Sequence, residues 1–333
     1  MGAAVPPTAS EVHQGGWLHS LSPPVFFAGL ATSSISSGGP PPPLQFELQS
    51  VFGDCSTGAA LWTAELLLGE WCLRELSRSR GHEGANKLPG RLPLSSAPAP
   101  APARVLELGC GVAPAAGLAC LCAGADVVLS DLAELTSFTE RNVRRNYAAV
   151  VAARGTEISR TNCDILVLDW ADSLPSEKEE DDAEKGGEGN ARSSPCFRGP
   201  LPPRVVAQGP FDLIIIADCV FRVSLHDMLA HTISRLLRQQ PQQPQQPHQQ
   251  TTSRKGAEAG ARRRRPRCIN AREVRSTKDE RAFYDGALAR AGLSWRECPE
   301  VDELLKSATY LDDQPHGTMR IVEIFVTGEG GET

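Results

Sequence analysis

The sequence predicts an α/β protein: a mostly parallel sheet of seven strands, helices on both faces, and an antiparallel edge strand. Three observations carry this. Short apolar runs alternate with stretches of helical periodicity from Arg104 onward, the signature of a parallel sheet covered on both sides. The first run, 105–108, ends in the glycine pair Gly109 and Gly111, as a strand does that feeds a ligand-binding turn. Two strand-like runs close the chain with a short connection, which suits an antiparallel edge.

Taken in order, residues 1–44 are rich in Pro, Gly, Ser and Ala and read as a disordered tail. Residues 45–53 alternate weakly and suit a short strand. Residues 58–76 have helical spacing, with Leu61, Trp62, Leu66, Leu67 and Leu73 available for a buried face. A polar, Ala/Pro-rich linker covers 77–103. Strands follow at 104–108, 126–131, 165–168 and 211–217. Helices are expected at 114–122, where Pro114 suits the first turn and Gly124 the end, and at 133–149 and 224–238. Strands at 268–274, 293–298 and 319–326 complete the sheet. Thr277 and Glu280 read as a capping box that starts a helix running to Gly292. Segments 175–209, acidic and then Gly/Pro-rich, and 239–267, a Gln/Pro tract ending in the basic run 262–267, read as low-complexity insertions outside the core. Residues 328–333 form a tail.

Composition narrows the function classes. The chain has 333 residues, 41% hydrophobic and 22% charged, with 26 Pro and 30 Gly concentrated in a few stretches. A formal charge of −6 gives no global reason to expect nucleic acid as a partner. The ten cysteines have no repeated spacing and read as free thiols of a reducing compartment. His226 and His231, five apart, do not share a helix face, so no metal site is expected. No apolar run is long enough to span a membrane, no secretory signal is visible, and Pro6 sits where a myristoylation site wants Ser or Thr. These readings point to a cytoplasmic, monomeric protein. The run Arg262 to Arg267 is compatible with nuclear import as well as with a solvated stretch.

The chemistry centres on ELGCG, residues 107–111. Glycines let a backbone approach a ligand closely, and a helix N-terminus favours a carboxylate. A dinucleotide fingerprint would want a third glycine where Pro114 stands. Glu107 suits an ammonium better than a pyrophosphate. Asp131, ending the second strand, can accept ribose hydroxyls, a feature that both kinds of cofactor share. Together these residues favour S-adenosylmethionine, with a dinucleotide as the rival. Taken singly, Trp62 and Trp170 read as core aromatics, Asp218 as a turn residue, and Asn142 and Asn146 as solvent-facing.

Five segments in order resemble the seven-β-strand (class I), Rossmann-like S-adenosylmethionine-dependent protein-lysine methyltransferases. They are GAALWTAELL at 58–67, VLELGCGVAP at 105–114, Asp131 with Asn142 and Asn146, LDW at 168–170, and FDLIIIADCVF at 211–221. The resemblance implies a single methyltransferase domain over 45–327 that uses S-adenosylmethionine and methylates a lysine side chain of a non-histone protein. It implies cofactor contacts from Trp62, Glu107, Gly109, Cys110, Gly111, Asp131, Asp169, Trp170 and Ala217, and an acceptor site at Asp218 and Phe221. Cys110 stands where the family has Ala or Ser, and Phe221 where it has Tyr, removing a hydroxyl from the acceptor pocket. The same fold also serves methyltransferases of small amines, and binding proteins that have lost catalysis.

Overall fold

In the computed structural model the described residues are 12–13, 16–21, 44–49, 56–81, 101–154, 162–173, 201–239, 265–307 and 319–328. Three strands, β1 (Val12–His13), β2 (Gly16–Leu21) and β3 (Leu44–Gln49), form a small antiparallel sheet. Helix α1 (Thr63–Gly81) leads to the main sheet. Its strands are β4 (Arg104–Leu108), β5 (Asp126–Asp131), β6 (Cys163–Val167), β7 (Leu213–Ala217), β8 (Arg267–Glu273), β9 (Leu293–Glu297) and β10 (Met319–Val326). Between them lie α2 (Ala115–Cys122), α3 (Ala133–Arg154), α4 (Pro203–Gln208) and α5 (His226–Leu237). Helix α6 comprises Thr277–Arg281, a π turn Ala282–Ala287 and Leu288–Arg290, and α7 is Val301–Ser307.

The strand order is β6-β5-β4-β7-β8-β10-β9. The first five run parallel, and β10 pairs antiparallel with both β8 and β9. The expected mostly parallel seven-stranded sheet is therefore present. Its antiparallel strand lies one place in from the edge, between two strands of the opposite sense. Strand order reverses between β4 and β7, and a crevice opens outside the carboxyl ends of strands at such a switch point.

Strand alternation sorts the core into two layers. Val105, Leu213 and Ile215 face α1, α2, α3 and α7; Leu106, Leu108, Ile214 and Ile216 face α4, α5 and α6. Every residue of β7 is buried, which explains why 213–217 reads as a continuous apolar run. Each such Ile or Leu contributes about 1.5–3 kcal/mol on burial, so the central strands are the rigid base on which the loops at their carboxyl ends stand.

Four sequence expectations change. The stretch read as a disordered tail contains β1 and β2, and β2 pairs with β3 from Gly16 opposite Gln49 to Leu21 opposite Leu44; the Pro- and Ser-rich flanks mask this short strand. Helix α1 continues to Gly81, into the segment read as linker, and α4 lies inside the segment 175–209 read as an insertion. Ser276 caps α6, its hydroxyl accepting from the Asp279 N–H at 3.3 Å, one residue before the expected Thr277. Helix α7 is absent from the sequence analysis although Val301, Leu304 and Leu305 stand at i, i+3 and i+4 and are buried; seven residues are under two helical turns, too short a window for periodicity to stand out. The remainder of the tail and insertions lies outside the described residues. Among the described residues no helix is long and apolar enough to cross a membrane.

Candidate active site

A cavity of about 420 Å³ opens at the switch point, a size suited to a cofactor or small ligand. Its lining includes Trp62, Gly109, Cys110, Gly111, Asp131, Asp169, Trp170, Ala217, Asp218 and Phe221. Ten of the eleven residues expected at the site are thus brought together from five segments of the chain. Glu107 is the exception.

The glycine loop is built by backbone geometry. Gly109 and Gly111 have φ of +67° and +60°, conformations that L side chains rarely hold. The N–H groups of Gly109 and Cys110 donate to the Ser130 carbonyl at 2.9 and 3.1 Å, folding the loop over the end of β5. A Cβ on Gly109 would lie 2.6 Å from Cys219 Sγ and 3.0 Å from the Trp170 ring; one on Gly111 would lie 2.8 Å from the Gly58 carbonyl oxygen. The loop also accepts support from below. Thr139 Oγ1 donates to the Gly111 carbonyl at 2.7 Å, and Val112 N–H donates to the Gly58 carbonyl at 2.8 Å.

Asp131 accepts from Gly111 N–H and from Leu132 N–H, both at 2.7 Å, one on each oxygen. A carboxylate has about four acceptor sites, so two remain for hydroxyls. Burial raises its pKa to about 6 against the pull of those two hydrogen bonds.

Asn142 and Asn146 are buried, not solvent-facing. Their side-chain amides act as a ladder for β3. Asn142 accepts from Glu47 N–H at 2.7 Å and donates to the Glu47 carbonyl at 3.0 Å; Asn146 accepts from Gln45 N–H and donates to its carbonyl, both at 2.7 Å. Asn142 also donates to the Val112 carbonyl at 2.7 Å, tying the cofactor loop to the small sheet.

Glu107 does not reach the cavity. Strand alternation turns it, with Val105, toward α1 and α2, where it is fully buried and lies against Gly117. Both its oxygens are buried without a hydrogen-bond partner of ordinary geometry among the described residues, beside the carboxyl of Glu65. Burial, then the neighbouring Glu65 charge, pushes its pKa well above the usual carboxylate range. Glu65 accepts from Ala116 N–H at 2.8 Å and lines the cavity. Burial raises its pKa to about 7. Of this buried pair, the acid that lines the cavity is therefore Glu65, on α1. Its place three residues after Trp62, in the first turn of a helix, is the one sequence signal that points to it.

At the far end of the cavity stands Asp218, just past β7, with φ of +54°. Its N–H donates to the Ala271 carbonyl at 2.9 Å, which holds the strained turn. Its carboxylate is ion-paired with Arg275, whose guanidinium also reaches Glu273 at 3.2 Å and lies over the Trp62 ring, 4.9 Å from its centroid. Burial raises the Asp218 pKa, with Arg275 opposing. Arg275 escapes the sequence analysis because it belongs to no motif, and Cys219 because it fills one of the unspecified positions between Asp218 and Phe221 in the 211–221 segment. Of the cofactor contacts expected from the LDW segment, Asp169 is exposed and accepts from Ala171 N–H at 2.9 Å, while Trp170 is half-buried with its ring against Gly109.

The strand order, with an antiparallel strand one place in from the edge, and the positive-φ glycine loop at the switch point give the Rossmann-like fold of S-adenosylmethionine-dependent methyltransferases. Residues 42–184 match the family model described as lysine methyltransferase. A search of curated proteins found no match. Solved structures similar to this chain include a SAM-dependent methyltransferase from Agrobacterium tumefaciens, 11% identical with a TM-score of 0.39, over 95% of this chain and 71% of that one. Another is the glycopeptide N-methyltransferase MtfA complexed with S-adenosylmethionine, 12% identical with a TM-score of 0.34, over 75% and 93%. A third is the mitomycin 7-O-methyltransferase MmcR, 15% identical with a TM-score of 0.33; the match covers 79% of this chain and only 56% of that one. Likenesses this distant place no substrate on this chain.

Proposed function

We propose that this protein transfers a methyl group from S-adenosylmethionine to a lysine side chain of a protein. The observation that carries this reading is the position of Asp218, a nearly buried carboxylate across one cavity from the glycine loop. The residues present suit the cofactor. Gly109 and Gly111 pack too closely on Cys219, Trp170 and the Gly58 carbonyl to carry a side chain and so keep the loop backbone bare, Asp131 retains acceptor capacity for the ribose, Trp170 offers an aromatic face, and Glu65 would take the methionine ammonium in place of Glu107. Bound there, the cofactor would supply an activated methyl on a sulfonium.

The chain's own residues supply placement. A lysine ammonium has a pKa near ~10.4 in water and must lose a proton before it can attack. Desolvation between Trp62 and Phe221 lowers that value, and Asp218 orients the nitrogen along the line of displacement. Phe221 contributes shape alone, so the hydrogen bond that a tyrosine would supply here is missing.

The test is tritiated S-adenosylmethionine with cell lysate, followed by acid hydrolysis of labelled protein. Label in methylated lysine is the expected result. Label confined to small molecules would overturn the protein substrate, and failure of S-adenosylmethionine to bind in calorimetry would overturn the cofactor as well.

A further inference from the structure

Asp218 is not free to receive an acceptor. Its carboxylate is taken by Arg275, which stands in the connection Val274–Ser276 between β8 and α6. The same guanidinium covers the indole of Trp62. Trp62, Asp218 and Arg275 all line the one cavity. A cation that pairs with the acceptor carboxylate and stacks on the aromatic wall holds the place an incoming ammonium needs.

We propose that Arg275 is a built-in occupant of the acceptor site, and that it restricts the enzyme to cationic acceptors. This rests on the lysine reading above and adds a reason for the selectivity. Displacement by an ammonium exchanges one cation for another on Asp218. Arg275 retains its second carboxylate, Glu273, at 3.2 Å, and its side chain is already partly in solvent. An uncharged acceptor offers no such exchange: it cannot replace the guanidinium on Asp218, so Arg275 keeps the carboxylate and its place beside Trp62. Arg275 acts through Asp218 and is a positioning residue. Arg281, exposed on α6 and outside the cavity lining, serves as a control for general charge.

The experiment titrates n-butylammonium, a surrogate for the lysine side chain, into full-length protein saturated with S-adenosylhomocysteine, followed by NMR. Arg275→Gln should bind the probe at least about tenfold more tightly than the unmodified protein. Arg281→Gln should change affinity less than about twofold, and n-butanol should discriminate none of them. Equal or weaker binding of n-butylammonium by Arg275→Gln, with cofactor affinity retained, overturns the proposal, as does an equal gain in Arg281→Gln. Should Arg275→Gln fail to fold, Arg275→Met, which keeps the stem over Trp62, is held to the same criterion. Failure of S-adenosylhomocysteine to bind the unmodified protein would instead remove the methyltransferase reading itself, so the two failures are distinguishable.

Discussion

The two ends of the cavity are built by different means. At the cofactor end, backbone does the holding: two positive-φ glycines, loop N–H groups that donate to the carbonyls of Ser130 and Gly58, and the amide of Asn142 clamping Val112. At the acceptor end, charge does it: Asp218, Arg275 and Glu273 form an ion cluster on a loop, with one aromatic wall. Backbone geometry is fixed at folding and tolerates little change. A part-exposed ion pair is worth little on its own and can be exchanged. A site that must bind one constant ligand and admit a variable one gains from having each kind of construction where it is.

Substitutions should separate the two ends. The largest effect is expected for Gly111→Ala, whose Cβ meets backbone of Gly58 at 2.8 Å at a φ of +60°; S-adenosylmethionine affinity measured by calorimetry should fall by more than about 100-fold, a loss of ~3 kcal/mol. Gly109→Ala meets a side chain, Cys219 Sγ, instead, and Cys219→Ala should restore part of its binding. Asp218→Asn should reduce methyl transfer about 100-fold while leaving cofactor affinity within about threefold, because it removes orientation of the acceptor alone. If both fall together, the ends are not independent.

Asn142→Ala comes next. It strands the Glu47 N–H and the carbonyls of Glu47 and Val112, and urea unfolding should show a loss of about 2–3 kcal/mol. The smallest effect is on the pH profile. Glu65, raised from 4.5 to about 7 by burial, binds its proton more tightly folded than unfolded. Its contribution to stability is therefore fully present below about pH 4.5 and is lost as pH rises through about 7. Unfolding free energy should fall between pH 5 and pH 8, and Glu65→Gln should flatten that slope. Binding of the cofactor's ammonium should drive the proton off Glu65, so calorimetry near pH 6.5 should depend on the ionisation enthalpy of the buffer, and cease to do so in Glu65→Gln.

The same contrast explains what could be read from sequence. The cofactor end was legible because positive-φ glycines, a strand-ending Asp131 and a fully apolar β7 each leave a residue type at a fixed offset. The sheet followed from the same alternation, down to the Met319–Val326 strand. Glu107 went to the wrong place because its type suited the ligand while strand parity sends it to the other face. Asn142 and Asn146 carried the right spacing, yet their partners lie in β3, some 100 positions away in the chain. Arg275 left no trace at all: an arginine in a short polar connection looks like any solvated surface residue until the fold sets it against Asp218 and Trp62.

Asn142 has one further consequence. Its single amide group holds both Glu47 of the small sheet and Val112 of the cofactor loop. Two events that share a residue share free energy, and linkage makes that sharing symmetrical. A macromolecule that grips the N-terminal strands and tightens this amide will raise affinity for the methyl donor, and the donor, once bound, will raise affinity for that macromolecule by the same factor.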